Sequence, residues 1–367
     1  MWPRRQVAVL VAVLTVLAPG CARLSHPQSS ARAGRAILSV DARLIAAGTD
    51  VYVLSGNALY RAQGTGLTTV NGGLPAAGSA TRAVGFEGAH GVMAAAEGPA
   101  VTVFNSSDAG RSWRETALES LSKAAPDGVG DVQVAQADRR IVVLAREMTS
   151  SNFASAIMLT SSGDHAWKIR QAPTAGRLVS ANGLFWLVGG VEGNQVYASS
   201  DGSKWTSVAL PVNAPSWTAG SPAAVQGLGT VIAITVHGAG DASRVLLIRS
   251  IDRGRTWSEM ASVAVSAHTE ADTTVPMAIT PDGDWFVIEP DGSRVYRGNL
   301  VHAVSKDPIS PNGLPSGVGQ IAFSSSTDGM ALGARTSCPR GKGSCRSTQI
   351  ALVTRDGGQT WEEMIFG

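Results

Sequence analysis

Charged side chains are scarce in this sequence. Only 16% of its 367 residues are Asp, Glu, Lys or Arg, and the 30 basic residues nearly balance the 28 acidic ones, for a net charge of +2. Proteins that bind nucleic acid electrostatically carry a clear basic excess, so the composition gives no reason to expect nucleic acid as a partner. The low charge also argues against long solvated helices and favours many short strands.

Long apolar runs are missing too, apart from one short run near the start. Val7 to Ala18 form a run of twelve largely apolar residues after the basic stretch MWPRRQ. Such a run is too short to span a bilayer comfortably, but it matches the hydrophobic region of a signal peptide. We therefore predict a signal peptide over residues 1–20. No later stretch approaches the roughly 18–20 apolar residues of a transmembrane helix.

The predicted signal ends in LAPGC, which resembles the lipobox of bacterial lipoproteins. The resemblance implies that Cys21 becomes a lipidated first residue and anchors the chain to the extracytoplasmic face of the cell membrane. The match is imperfect, because Ala18 stands where the lipobox usually has Leu. The alternative is a secreted protein that loses Cys21 with its signal. Residues 22–36 lack apolar periodicity, so we predict a tether over 21–36 and a folded domain over 37–367.

Cysteine is rare, and only Cys338 and Cys345 remain beyond the signal region. Disulfides persist outside the cytoplasm, and the intervening PRGKGS is rich in turn formers. Two cysteines placed across such a turn can face each other on adjacent strands. We predict a Cys338–Cys345 disulfide. Two free thiols or a zinc pair are the alternatives, and the zinc pair lacks a nearby His or further Cys.

What the sequence has in quantity is glycine, with 42 residues, and a recurring eight-residue pattern. A hydroxyl residue is followed by Asp after two positions, by Gly after two more, and by Trp after a further three. The pattern is strict in SSDAGRSW, SIDRGRTW and TRDGGQTW, one residue short in SSDGSKW, and shifted in its acid in TSSGDHAW. Its residues are Ser106, Asp108, Gly110, Trp113, Trp167, Ser199, Asp201, Trp205, Ser250, Asp252, Gly254, Trp257, Thr354, Asp356, Gly358 and Trp361.

A second repeated signature consists of two apolar strands joined by a small turn. Its copies recur about every 46 residues, which is the period of a four-stranded propeller blade. One blade cannot bury both of its faces alone, whereas a ring of blades can. We predict an all-β, seven-bladed β-propeller of four-stranded antiparallel blades, with six or eight blades as alternatives. The seven copies begin at Arg43, Ala83, Val132, Arg177, Ala223, Pro276 and Gln320.

The eight-residue pattern resembles the Asp-box, or BNR repeat, of sialidases, other secreted glycoside hydrolases and non-enzymatic propellers. The resemblance implies a turn between the third and fourth strands, on the end away from the ligand site. Asp and hydroxyl side chains fix such turns by bonding to backbone amides, and the Trp buries its ring. We therefore interpret the pattern residues as structural. A calcium site is the alternative, and the single acid in each turn argues against it.

Ligands of propellers usually meet the end formed by the loops between second and third strands and between blades. An aromatic in a Pro/Ser loop could stack on a sugar or a partner, or equally cap the core. Three alternating polar residues could share a strand face and bind a metal, although a solvated acidic loop is favoured. A stapled basic loop could bind an anion, although a solvated loop is again favoured. These candidates are, in turn, Trp217; His268, Glu270 and Asp272; and Arg340 and Lys342.

True sialidases need three arginines, a Tyr–Glu pair and an Asp, and they carry an Arg-Ile-Pro motif. That motif is missing here, and the nearest echo, Tyr60–Arg61, falls in a third strand. Phosphate loops, nucleophilic Ser motifs and cofactor fingerprints are missing as well, so no cofactor or metal is predicted. We expect a monomeric, non-enzymatic scaffold that binds an envelope protein or glycan. The alternative is a secreted sialidase-like glycoside hydrolase, which three arginines and a Tyr–Glu pair at one channel would favour.

Overall fold

The architecture comes from a computed structural model of the full chain, and every described residue belongs to one compact unit that begins at Gly34. Within the described residues there is no helix long and apolar enough to cross a membrane. The predicted signal peptide and tether lie outside the described residues. The structure describes residues 38–39, 42–47, 50–70, 74–75, 81–147, 156–161, 167–190, 193–237, 242–266, 275–289, 291–302, 304–337 and 345–366.

The described chain forms seven antiparallel sheets, which confirms the predicted seven-bladed β-propeller. The first three blades take their strands from the first half of the chain. Blade 1 has β1 (Arg43–Ala47), β2 (Asp50–Ser55), β3 (Ala58–Gln63) and β4 (Gly66–Thr69); blade 2 has β5 (Thr81–Glu87), β6 (His90–Glu97), β7 (Ala100–Ser106) and β8 (Arg114–Ser120); blade 3 has β9 (Val129–Ala137), β10 (Arg140–Glu147), β11 (Ala156–Ser161) and β12 (Trp167–Gln171).

The next four blades complete the ring, and the last short strand joins blade 1. Blade 4 has β13 (Gly176–Ala181), β14 (Leu184–Gly189), β15 (Gln195–Ser199) and β16 (Thr206–Ser207); blade 5 has β17 (Trp217–Ala219), β18 (Ala223–Val225), β19 (Gly229–His237), β20 (Ala242–Ser250) and β21 (Ser258–Ser266); blade 6 has β22 (Met277–Ile279), β23 (Asp284–Ile288), β24 (Val295–Asn299) and β25 (Val304–Ile309); blade 7 has β26 (Val318–Phe323), β27 (Gly329–Ser337), β28 (Arg346–Thr354) and β29 (Glu362–Glu363), followed by β30 (Ile365–Phe366).

Each repeated signature forms the first two strands of one blade. The second strands are the most deeply buried, as in β14, where all six residues are buried. They pack between the sheets, so the hydrophobic core consists of clusters shared by neighbouring blades. This burial on both faces explains why these strands are continuous apolar runs rather than alternating ones.

The ring closes through the C-terminal end of the described chain. Strand β30 pairs in parallel with β4, the outermost strand of blade 1, through Phe366 and Leu67. Near the other end of the described chain, Leu38 forms an antiparallel bridge with Gln349 of blade 7. Contacts between the first and last blades therefore lock the ring from both ends of the chain, and they leave fewer unpaired edges.

Blade 5 departs from the regular pattern at its innermost strand. Its first strand is split into β17 and β18, and both pieces pair with β19. Pro222 lies in the break and has no amide hydrogen to give to the ladder. The repeated signature of blade 5 therefore begins at β18, the second piece of the split first strand, rather than at β17.

The strand directions define two ends of the propeller. The mouth end carries the loops between second and third strands and the connections between blades. The turn end carries the loops between first and second strands and between third and fourth strands. All five copies of the eight-residue pattern join third to fourth strands and therefore belong to the turn end, as the resemblance implied.

Candidate functional site

At the turn end, the three strict copies of the pattern share one hydrogen-bond arrangement. In blade 5 the Ser250 hydroxyl donates to Asp252 Oδ1 at 2.8 Å and accepts from the Gly254 amide at 2.7 Å. The Asp252 carboxylate also accepts from the Thr256 amide at 2.9 Å and the Thr256 hydroxyl at 2.7 Å. Blade 2 repeats this through Asp108, and blade 7 repeats it through Asp356. The carboxylates thus stabilise their own turns.

These hydrogen bonds favour the ionised carboxylates. The hydroxyl and amide of Ser112 lower the pKa of Asp108 to about 2, and those of Thr256 do the same for Asp252. In the shorter copy of blade 4, burial opposes ionisation, but the Lys204 and Ser203 amides still lower the pKa of Asp201 to about 2. A carboxyl group with so low a pKa is a poor proton donor at neutral pH.

The turns also hold neighbouring blades together. A Cβ on Gly254 would lie 2.9 Å from the Trp186 ring of blade 4, and one on Gly202 would lie 2.3 Å from Val142 of blade 3. Both glycines have a positive φ, which other residues rarely adopt. The pattern therefore needs Gly for backbone conformation and for close approach to the preceding blade.

The pattern tryptophans cover these contacts. Trp257 packs edge-on against Trp186 with ring centroids 6.0 Å apart, and Trp361 packs edge-on against Phe323 at the same distance. The ring nitrogen of Trp361 donates to the Gly358 carbonyl at 3.0 Å, and those of Trp205 and Trp257 make the equivalent bond. Trp167 begins β12, next to pattern positions that lie outside the described residues. The residues of the turn end therefore serve the packing within and between blades.

A cavity of about 690 Å³ lies at the centre of the ring, and residues from all seven blades line it. Its size falls within the range of small-molecule and cofactor sites. Each blade contributes one corresponding residue to this lining, three or four positions before the last residue of its first strand; Ser221 lies in the break of blade 5, and Pro276 directly precedes β22. These residues are Arg43, Ala83, Gln133, Arg177, Ser221, Pro276 and Gln320.

A carboxylate with two arginine partners stands beside this ring of residues. Asp131 lies 2.6 Å from Arg43 of blade 1 and also forms an ion pair with Arg146 of its own blade. Ala83, the equivalent residue of intervening blade 2, has a short side chain that leaves room for Arg43 to reach across. Burial raises the pKa of Asp131, but the two guanidinium groups outweigh it and hold the pKa below its usual range. Asp131 is therefore an ionised structural anchor.

Two glutamines clamp the edges of the innermost strands. Gln133 accepts from the Leu178 amide at 2.8 Å and donates to the Gly176 carbonyl at 2.9 Å. Gln320 makes the same pair of bonds around Arg43, accepting from Leu44 at 3.0 Å and donating to Ala42 at 3.2 Å. Each glutamine thus imitates a β-bridge to the next blade and fixes the backbone on both sides of one arginine.

Arg177, the second clamped arginine, keeps its guanidinium group available. Its side chain is exposed to the cavity, and its Nη1 donates to the Ser221 hydroxyl at 3.2 Å. No ion pair links Arg177 to a carboxylate in the described part of the chain. The surrounding protein displaces water from the group, and this burial lowers its pKa from the ordinary value. Because the ordinary pKa of arginine is far above neutral pH, Arg177 stays charged despite this lowering and can bind an anion.

The predicted binding residues are only partly covered by the structure. Trp217 is half-buried, belongs to β17 rather than to a loop, and packs against the core cluster between blades 4 and 5. This placement favours the core-capping alternative for Trp217. Arg340 and Lys342, and the predicted metal-site residues His268, Glu270 and Asp272, all lie outside the described residues. Among the described residues there is no cluster of three potential metal ligands.

The predicted disulfide also involves a residue outside the described ranges. Cys345 directly precedes β28, and Ser337 pairs with Arg346 at the end of the β27–β28 hairpin. Cys338 follows Ser337 in the sequence but is not described. The Cys338–Cys345 disulfide therefore stays a prediction.

A Tyr–Glu pair does occur near the mouth end, in blade 6. The Tyr296 hydroxyl donates to Glu289 Oε1 at 2.8 Å, and Ser293 donates to Oε2 at 2.8 Å. Glu289 is buried, with 2% exposure, and neither Glu289 nor Tyr296 is among the described residues that line the cavity. Burial and the bond to Glu289 raise the pKa of Tyr296, which makes its phenolate less accessible. The Tyr296–Glu289 pair is therefore not placed to act as a nucleophile on a ligand in the cavity.

Sequence reasoning missed the residues of the central cavity. Arg43, Arg177 and Gln320 begin repeated signatures, but they were not singled out as site residues. A stricter alignment of the seven copies on their hairpins would have placed two Arg and two Gln at one position that faces the centre. Asp131 has no such signal, because its partners lie 88 and 15 residues away along the chain.

Comparisons with known proteins support the fold and nothing finer. No protein-family model matches the chain, and no curated protein matches it. Among solved structures, Hsv2 of Kluyveromyces lactis is 12% identical with a TM-score of 0.51, covering 85% of this chain and 97% of its own. A prolyl endopeptidase structure is 10% identical with a TM-score of 0.54, covering 88% of this chain but only 49% of its own.

A third similar structure is YCF48 from Cyanidioschyzon merolae. It is 14% identical with a TM-score of 0.46, and the alignment covers 79% of this chain and 86% of that one. All three identities are low, and the likeness to the Hsv2 and prolyl endopeptidase structures concerns the fold alone. Because β-propellers host hydrolases as well as proteins without catalytic activity, the function has to be argued from the site.

Proposed function

We propose that this chain is a non-enzymatic binding or assembly propeller of the Asp-box type. In this proposal Cys21 is lipidated and holds the protein at the extracytoplasmic face of the cell membrane. The mouth end then binds an envelope protein or glycan. The proposal combines the lipobox-like LAPGC with the arrangement of the central cavity.

The observation that carries the proposal is the state of Asp131. Glycoside hydrolysis normally needs two carboxyl groups that flank the scissile bond. Among the described lining residues Asp131 is the only carboxylate, and Arg43 and Arg146 hold it ionised. The cavity therefore offers donors for binding, but no pair of acids for hydrolysis in the part of the chain that the structure describes.

The second candidate is a secreted glycoside hydrolase of sialidase-like fold. It is favoured by the three arginines of the cavity and by the Tyr296–Glu289 pair. Against it, two of these arginines are occupied by Asp131 and the Tyr–Glu pair stands outside the lining. Turnover of fluorogenic glycosides by the purified chain, lost on Tyr296→Phe, would establish this candidate instead.

The test of the binding proposal is capture from envelope extract by the immobilised full chain. Charge reversals of the exposed mouth-end residues Glu97 and Lys123 should reduce the recovery of a specific envelope component. A charge reversal of exposed Arg253 at the turn end is the matched control and should leave recovery unchanged. Equal loss with both sets, or capture that neither set affects, would refute binding at the mouth end.

The proposed anchor has a separate test. Cys21→Ala removes the acceptor of the lipid, so the protein should move from the membrane fraction to the soluble extracytoplasmic fraction. Cys345→Ala is a control that leaves the predicted signal intact and should not relocate the protein. Membrane retention of the Cys21→Ala protein would contradict lipidation at this residue.

A further inference from the structure

We propose that the mouth-end ligand is a polypeptide segment whose carboxylate binds Arg177 and whose apolar side chain enters the central cavity. The inference rests on the proposed function, because it specifies what the mouth end binds. It depends on three features of the cavity: the available cation of Arg177, the aliphatic part of the wall, and a backbone that holds Arg177 in place.

The available cation is the guanidinium group of Arg177. Arg43 and Arg146 share the charge of Asp131, whereas Arg177 has only the 3.2 Å bond to the Ser221 hydroxyl in the described part of the chain. A guanidinium that is partly shielded from water gains much from a carboxylate, since the two planar groups match in a bidentate pair. The single charge of Arg177, which has no acidic partner among the described residues, is matched by one carboxylate rather than by a multiply charged group.

Part of the wall around Arg177 is aliphatic, although polar and apolar atoms share the cavity surface about equally. Ser221 offers the only hydroxyl among the described lining residues, and Phe323, the only aromatic there, is 3% exposed. A sugar would leave hydroxyl groups unpaired against the aliphatic part of the wall, and unpaired buried polar groups are costly. An apolar side chain next to a carboxylate suits the wall better. The partly exposed aliphatic residues of the lining include Leu44, Ile45, Val134, Val179, Met277 and Ile279.

The position of Arg177 is fixed before any ligand arrives. Gln133 bonds to the backbone of Gly176 and Leu178, on either side of Arg177. The arginine therefore projects from a clamped strand rather than from a loose loop, which lowers the entropy lost on binding. Gln133 is accordingly a positioning residue that acts through the backbone of Arg177.

The chain's own tether does not suit this site. Residues 22–36 carry Arg23, Arg32 and Arg35 and no acidic residue, so their charge has the same sign as that of Arg177. The ligand is therefore a segment from another protein that presents Asp, Glu or a C-terminal carboxylate beside an apolar residue.

The experiment compares two peptide pools that differ only in charge. Each pool has randomised apolar neighbours, with Glu at the fixed position in one and the isosteric Gln in the other. The purified full chain should retain the Glu pool at least about tenfold better, since hydrogen bonds to charged groups contribute that much or more. Equal retention of the two pools, or of neither, would overturn the proposal.

Variants test whether Arg177 causes the preference. Arg177→Gln should remove it, and Arg177→Lys should keep part of it, because the charge remains while the fork is lost. Gln133→Ala should weaken Glu-pool binding while the Glu-over-Gln preference persists. Circular dichroism and melting temperature establish that each variant is folded. A folded Arg177→Gln protein that keeps the full preference would exclude Arg177.

The outcomes separate this inference from the proposed function. If mouth-end charge reversals reduce envelope capture but the peptide pools bind alike, the scaffold proposal stands and the peptide inference falls. If the chain retains the two pools differently but mouth-end charge reversals leave envelope capture unchanged, the scaffold proposal falls. Binding of glucuronate-containing oligosaccharides at Arg177 in place of the peptides would assign the site to a glycan and overturn the inference.

Discussion

The two ends of the propeller use polar residues in different ways. At the turn end, Asp252 bonds to groups at most four residues away, and other blades repeat the same set of bonds. At the mouth end, Arg43 reaches Asp131 across 88 residues, and Gln320 binds the backbone near Arg43 across more than 270. The turn end is therefore a repeated local device, whereas the mouth end is a single arrangement that exists only once the ring has closed.

Specificity for a ligand can therefore arise only at the mouth end. A device repeated in several blades serves the blade, because a ligand site is needed once. The cavity-lining position near the start of each blade varies among Arg, Ala, Gln, Ser and Pro, and in blade 5 the strand itself is split there. Variation at an equivalent position is what gives a symmetric scaffold an asymmetric site.

The largest effect is expected from removing a turn-end tryptophan. Trp361→Ala should lower the free energy of unfolding by about 3–5 kcal/mol, because it empties a buried aromatic site between blades 6 and 7. Chemical denaturation measures the loss. Trp361→Phe keeps a ring in the site and should cost clearly less. Folded Trp361→Ala protein should still bind its ligand, and a selective loss of binding would give the turn end a role beyond stability.

The predicted disulfide would stabilise the β27–β28 hairpin at the mouth end. Reduction of Cys338–Cys345 should lower stability by roughly 2–3 kcal/mol, the chain-entropy cost of so short a loop. Intact-mass analysis of the alkylated protein with and without reductant checks that the bond exists. Two thiols that react without reductant would rule the disulfide out.

Breaking the mouth-end ion pairs should cost less than the tryptophan. Asp131→Asn removes the charge between Arg43 and Arg146, whose side chains are 37% and 22% exposed. Water can therefore relieve part of the loss, and we expect about 2 kcal/mol, below the roughly 3–5 kcal/mol of a fully buried pair.

The matched control for that change is Asp50→Asn. Asp50 pairs with Arg61, and both side chains are 36% exposed, so the control should cost at most about 1 kcal/mol. Chemical denaturation compares the two variants. Equal losses would mean that Asp131 is no more important than a surface ion pair.

Acid should weaken the turn end in a defined window. Asp108 and Asp252 have a folded pKa of about 2, lower than the roughly 4 of an unfolded Asp. Because the folded pKa is the lower one, their contribution is complete above about pH 4 and is lost as the pH falls toward 2. Denaturation curves over this range should be less steeply pH-dependent for Asp252→Asn than for wild type. An unchanged slope would show that the carboxylate does not stabilise the turn.

The smallest effect concerns backbone conformation in the same turn. Arg253 follows Asp252 with φ +62°, whereas the equivalent residue of blade 7 is a glycine, Gly357, at +69°. Arg253→Gly should therefore raise stability by about 0.5–1 kcal/mol, since glycine adopts this conformation without strain. Arg253→Ala keeps the strain and should change little. A gain with both variants would trace the effect to the arginine side chain instead.

Much of the fold follows from the sequence because its signals are local. The two-strand signature at Arg177 or Ala223, and the Asp-Gly-Trp spacing at 356, 358 and 361, each fit within about a dozen residues. Their recurrence at a blade-like period predicted the number of blades, whereas the end at which the turns lie was implied by the resemblance to the Asp-box. Trp217 was harder to place, because a Pro/Ser-rich stretch looks like a loop even where the ring provides a strand partner in β19.

Local spacing along the chain was enough to predict the class of fold, the seven repeats and the identity of the turn residues, since hydrogen bonds over two to four residues depend on it. Which side chains share the central cavity depends instead on how the blades pack. This packing brought Arg43 to Asp131, gave Arg177 its clamp from Gln133, and kept Tyr296 out of the lining. These contacts join residues from different blades, and their geometry depends on how the sheets twist and pack, which no local pattern encodes.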